Sequence, residues 1–242
     1  MSDAPARRRS RTRSHYRDPL SALTTAVVAY FAVLVLLLLV VPRIPPLGEA
    51  GWISQLVTFL IVWVPLLGAV VFAGRRFGHG SLERDAGLRI RWIDVGVGLL
   101  VGLVLRFAVE GIVPTGGSQA GLDGQSAPPP TLALLVAAVG AGLVAPVVEE
   151  LFFRGLLQRG VSGLVRGGRA ARIAVAVLVS TPLFVLMHLV AVAPGAWAAV
   201  AITTGLSGLV FGLLAAITRR LGASIAAHIV FNALGLVFVY AR

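Results

Sequence analysis

Seven apolar runs, each of 18 or more residues, recur along this chain of 242 residues, at about 20–42, 52–73, 93–113, 131–148, 173–193, 196–218 and 221–240. A run of that length crosses a hydrocarbon core of about 30 Å as a single helix. The composition agrees. The chain is 57% hydrophobic and 13% charged, too apolar to wet the exterior of a soluble domain. The expected fold is all-α: a polytopic membrane helix bundle of about seven transmembrane helices.

The breaks between runs carry turn chemistry. Pro42, Pro45 and Pro46 end the first run. Gly116, Gly117 and the triplet Pro128, Pro129, Pro130 separate the third and fourth. Gly167 and Gly168 precede the fifth, and Pro194 and Gly195 form the turn before the sixth. Three stretches follow: an Arg-rich tail at 1–19, expected to be disordered; N-terminal transmembrane helices at 20–130; and a core at 131–242. The tail resembles a signal-peptide n-region. The run after it is too long for an h-region and ends in no cleavage site, so a retained first helix is expected.

Charge sets the orientation. All 21 basic residues are Arg, and the formal net charge is +11. Six lie in the tail, five in Arg75–Arg91, five in Arg154–Arg172, and Arg219 and Arg220 follow the sixth run. These segments all fall on one side. The positive-inside rule makes that side cytoplasmic and places the N-terminus there. Positive charge confined to short loops is a topology signal, and nucleic acid is not an expected partner. Arg without Lys suggests GC-rich coding, and so a bacterial plasma membrane. The chain has no Cys, which excludes disulfides, thiolate metal sites and Cys nucleophiles.

Ionisable groups at membrane depth are costly, so the few present are informative. They are Asp94, Arg106, Glu110, Glu149, Glu150, Arg154, His188, His228 and, as an amide, Asn232, the only Asn in the chain. Residues four apart share a helix face. Glu150 and Arg154 can pair, while Glu149, about 100° around the helix, stays free to face a cavity. Phe184 shares a face with His188, and His228 with Asn232. A carboxylate and an imidazole can take a proton from a shared water. A second imidazole and a carboxamide can hold a tetrahedral oxyanion. That set suffices for peptide hydrolysis without a covalent intermediate, and no nucleophile–base dyad is evident around Ser180, Ser207 or Ser224.

The motifs also resemble a family. Glu149-Glu150-Leu151-Phe152-Phe153-Arg154 is similar to the EExxxR motif of the CPBP intramembrane proteases, which include the type II CAAX prenyl endopeptidases. Phe184–His188 resembles their FxxxH motif and His228–Asn232 their HxxxN motif, in the family's order. The resemblance covers residues 131–242. It implies that Glu149 activates water with His188, that His228 and Asn232 stabilise the oxyanion, and that Glu150, Arg154 and Phe184 support the site. It implies a glutamic enzyme without a cofactor, acting on a peptide or protein substrate at the lipid bilayer. No HExxH is present, and a zinc site would have to be assembled across helices. A metal-dependent protease, a non-catalytic scaffold or immunity protein of the same fold, and a small proton-coupled transporter are the competing readings.

Elsewhere bland readings prevail. Arg106 and Glu110 suit a structural intramembrane ion pair. Asp94 is expected at the cytoplasmic interface, in contact with water. Gly205, Ser207, Gly208 and Gly212 read as small-residue helix packing.

Overall fold

The computed structural model describes residues 15–48, 51–114 and 131–240, and among these there is no strand. Seven helices are long and apolar enough to cross a membrane. In chain order they are α1 (Pro19–Leu39), α2 (Trp52–Phe77), α4 (Trp92–Ile112), α5 (Thr131–Leu164), α6 (Arg169–Leu189), α7 (Trp197–Thr218) and α8 (Gly222–Tyr240), with a one-turn α3 (Leu82–Asp85) between α2 and α4. The all-α polytopic membrane bundle expected from the apolar runs is therefore the fold observed. The helix starts follow local chemistry. Asp18 caps α1 by accepting from the Ser21 amide at 3.1 Å, and Pro19 opens the helix, where a missing N–H costs nothing.

The helices pack in pairs, α1 with α2, α4 with α8 and α6 with α7, around α5. Every residue of α5 from Val148 to Val161 is buried, so its inner half is the centre of the bundle. The α4–α8 seam is the most extensive. Gly98 and Gly102 line it. A Cβ at Gly98 would lie 2.7 Å from the Ala223 carbonyl oxygen, and one at Gly102 would lie 2.5 Å from that of Ala227. Two bare backbone positions one turn apart let α8 approach, and this contact fixes the segment carrying His228.

The Arg-rich segments meet at one end of the bundle. The Asp18 amide donates to the Phe77 carbonyl at 3.0 Å, and the Leu221 amide to that of Gly87 at 2.9 Å. Arg159 donates to the Arg219 carbonyl at 2.8 Å and contacts the His15 Nδ1 at 2.9 Å. Gly87, at φ +77°, turns the chain against the Arg159 guanidinium, where a Cβ would collide. One end gathers the basic loops, as the charge bias requires.

Three expectations need correction. The fourth span does not stop at residue 148 but runs to Leu164; its polar side chains are paired inside the bundle and do not mark a water boundary. The tail expected to be disordered over 1–19 is ordered from His15: Tyr16 is fully buried and its hydroxyl donates to the Gly155 carbonyl at 3.2 Å. The rest of that expectation, 1–14, lies outside the described residues. Asp94 is not wet. It is 2% exposed and accepts from Arg220 at 2.6 and 2.9 Å and from the Arg91 amide at 3.0 Å.

Two predictions come from these contacts. Gly102→Val forces a side chain into the α8 backbone, and overpacking of this kind costs about 1–3 kcal/mol. Thermal unfolding in detergent should register the loss, while Gly96→Val, at a position with open space around it, should leave the midpoint unchanged. Burial, and then the Arg159 and Arg219 guanidiniums, push the His15 imidazole down to about 4. The fold therefore holds the neutral ring, whose Nδ1 lone pair faces Arg159. An unfolded His titrates near ~6.5, so this stabilisation is complete above that pH and is lost as pH falls toward about 4. The wild-type midpoint should drop by roughly 2–4 °C more than that of His15→Gln between neutral and mildly acid pH.

Candidate active site

The helix at the centre of the bundle is not wound uniformly. Gly140–Val144 and Glu150–Gln158 are π-helical and flank a regular α-turn, Ala145–Glu149. Pro146 lies in that turn and has no N–H to give to the turn before it. Wider π-turns re-aim side chains and concentrate at functional positions. Here they turn two consecutive carboxylates inward, Glu149 at 8% exposure and Glu150 at 0%.

Glu150 is held on two sides. Arg154 Nη1 lies 3.1 Å from its Oε1, and the same oxygen is 3.2 Å from His228 Nδ1. Because a carboxylate can only accept, Nδ1 carries the hydrogen. Arg154 Nη2 donates to the Gly208 carbonyl at 3.1 Å, and the guanidinium lies 4.6 Å from the centre of the Phe184 ring. Gly208 leaves room here: a Cβ would stand 3.1 Å from the Phe184 ring and 3.7 Å from Arg154 Nη2. An ion pair this deep depends on the partners' attraction for each other and on the nearby carbonyl and ring groups that face the guanidinium.

Glu149 is on the other edge of the same imidazole. Its Oε2 is 3.7 Å from His228 Nε2 and, though buried, has no hydrogen-bond partner. The Glu149 side chain as a whole keeps 11% of its exposure. His228 is clamped by stacking on Phe211 at 4.7 Å and by the edge of Phe184 at 6.0 Å. His188 lies against Phe184, with ring centres 4.5 Å apart. Its Nδ1 donates to the Phe184 carbonyl at 2.8 Å, which leaves the lone pair on Nε2. Asn232 donates from Nδ2 to the Ala141 carbonyl at 2.9 Å, in the first π-helical stretch.

Most of the residues singled out from sequence are linked by contacts, whereas Asn232 bonds to Ala141 instead. Glu149, Glu150, Arg154 and His228 touch in series, and Phe184 joins His188 to them. The Glu150–Arg154 pair is present, and Arg106 and Glu110 also pair, at 2.7 Å. Two features differ from expectation. Glu149 and Glu150 do not face separate surroundings but contact one imidazole. The large cavity of about 740 Å³ at the Arg-rich end reaches the group only at Arg154; Glu149, His188, His228 and Asn232 are not among its lining residues. Gln158 was missed from sequence. It is 4% exposed, donates to the Gly212 carbonyl at 3.0 Å and accepts from Ser180 at 3.2 Å. The signal was available: Arg154 and Gln158 are four apart, as are Gly208 and Gly212, so one polar ladder faces one bare backbone.

Among the described residues no three His, Asp or Glu side chains are arranged to hold a metal ion. His228 stands between the two carboxylates, and Arg154 pairs with Glu150 Oε1.

Residues 131–234 match the family model described as type II CAAX prenyl endopeptidase Rce1-like. The matched segment runs from the start of α5 into α8 and contains all three motifs. The family is one of proteases, and it is the family the motifs resemble. No curated protein and no solved structure matches the chain significantly.

Removing Arg154 strands Glu150 in the bundle centre. Arg154→Met should cost about 3–5 kcal/mol, read as a lower midpoint in detergent. Arg154→Met combined with Glu150→Gln should recover at least half of that loss, because the buried charge is then absent.

Proposed function

We propose that this integral membrane protein is an intramembrane glutamic endopeptidase that hydrolyses a peptide bond near the cytoplasmic membrane surface. The observation that carries the reading is Glu149: a carboxylate with an unpartnered oxygen, set against an imidazole whose opposite nitrogen is already fixed by Glu150. A base needs a free acceptor in reach of its proton, and that oxygen supplies one.

In this mechanism the Nε2 lone pair of His188 holds the attacking water and Glu149 takes its proton. The hydroxide attacks the peptide carbonyl, and the oxyanion forms on the side of His228 and Asn232. Asn232 has a second N–H beyond the one given to Ala141, and it serves as an oxyanion donor. Glu149 then returns its proton to the leaving amine. Glu150 and Arg154 take no part in proton transfer; they hold the His228 ring in one tautomer and one orientation. The bundle keeps bulk water out, which strengthens each of these interactions. The protein acts on a peptide or protein substrate presented at the bilayer of a bacterial plasma membrane, and no step requires a cofactor.

Terminal-peptide proteomics of membranes carrying wild-type or Glu149→Gln protein tests this. New protein termini should be present with the wild type and reduced at least ~100-fold with the variant, the usual scale for a lost general base. His188→Ala should behave similarly at equal expression. Identical termini with both proteins would remove the catalytic assignment and leave a scaffold.

A further inference from the structure

The cavity of about 740 Å³ at the cytoplasmic end is lined by Arg154, Arg159, Arg166, Arg169, Arg172 and Arg219, and by no Asp or Glu. It lies between the end of α5, the start of α6 and the end of α7. Arg154 and Arg159 form the floor and are buried, with protein partners described above. Arg166, Arg169 and Arg219 are exposed around the mouth. Topology alone asks only that Arg residues reach cytoplasmic water, which scattered positions would satisfy. Arg166, Arg169 and Arg219, gathered around one concavity, repel one another, and low-dielectric walls focus their field. An anion relieves that repulsion.

The shape adds to the charge. Gly167 and Arg169, at the N-terminus of the 21-residue α6, line the cavity, and no side chain caps that helix. Its first N–H groups and its dipole therefore add to the positive field. The Ser162 side chain lines the same space. Below the mouth the helix surfaces turn apolar and face outward: Val175 is 40% exposed, Leu178 65% and Ile217 61%. A ligand that fits both features has a phosphate at the membrane surface and hydrocarbon chains directly beneath it.

We propose that this cavity binds the phosphodiester headgroup of an anionic phospholipid from the cytoplasmic leaflet, with its acyl chains along α6 and α7. Arg166, Arg169 and Arg219 reach the phosphate from the rim. The cavity's floor is Arg154, the same guanidinium that neutralises Glu150, so a bound headgroup sits one side chain from the carboxylate–imidazole group. The inference does not depend on the chain being a protease.

The test is native mass spectrometry of the full chain in detergent, titrated with phosphatidylglycerol, phosphatidylcholine or inorganic phosphate. Wild type should bind phosphatidylglycerol roughly tenfold more tightly than phosphatidylcholine, in line with several cationic contacts near a membrane surface. Arg166→Gln with Arg169→Gln should lose that preference with an unchanged unfolding midpoint. Arg219→Asn is a second variant, since Asn tolerates the left-handed backbone at φ 58°, and it should lose part of the preference. Arg75→Gln with Arg76→Gln, basic positions outside the cavity, should keep it. Equal binding of the two lipids, or an equal loss in the Arg75 and Arg76 variant, overturns the proposal. Displacement of phosphatidylglycerol by equimolar inorganic phosphate overturns the lipid assignment in favour of free phosphate.

Discussion

The rest of the bundle is arranged around a buried ion pair. Glu150 and Arg154 stand at the centre of the helix packing with almost no exposure. Removing either charge from water costs several kcal/mol, and their mutual attraction offsets this only with good geometry and full hydrogen bonding. Each surrounding feature supplies part of that. Gly208 offers a carbonyl to Arg154, Phe184 covers the guanidinium, and His228 shares Glu150 Oε1 with Arg154. The π-helical winding of α5 aims both carboxylates inward, and the bare seam at Gly98 and Gly102 brings α8 close enough to deliver His228.

This arrangement separates two adjacent glutamates by what holds them, since both touch the same ring. Glu150 is fully buried and ion-paired with Arg154, and both Arg154 and His228 reach it through the single oxygen Oε1. Glu149 stands outside that ion pair and keeps 11% of its side-chain exposure, which is why the proposed chemistry falls to it. One imidazole between them makes the tautomer of His228 the link between the structural pair and the reactive one. His188 is prepared in the same way by the Phe184 carbonyl. In each ring the fold fixes one nitrogen; the other faces Glu149 in His228 and carries a lone pair in His188.

Much of this was legible in the sequence, for identifiable reasons. Long apolar runs gave the seven spans, because hydrocarbon thickness leaves few other solutions. Spacings of four gave the Glu150–Arg154 and Arg106–Glu110 pairs. The end of α5 was misplaced because hydropathy reads Glu149, Glu150, Arg154 and Arg159 as a return to water, whereas they find partners inside the bundle. Asp94 was misjudged similarly, since its partner Arg220 lies 126 positions away. No periodicity in the chain announces a π-turn, so the convergence of Glu149 and Glu150 on one ring was not readable.

The central claim is that His228 bridges the two carboxylates, and the side-chain ¹⁵N resonances of its imidazole test it most directly. The chain has four His, so assignment by single substitution is practical. The account predicts a hydrogen-bonded Nδ1–H whose resonance moves in Glu150→Gln, and an Nε2 resonance that moves in Glu149→Gln. A His228 ring insensitive to both substitutions would contradict it.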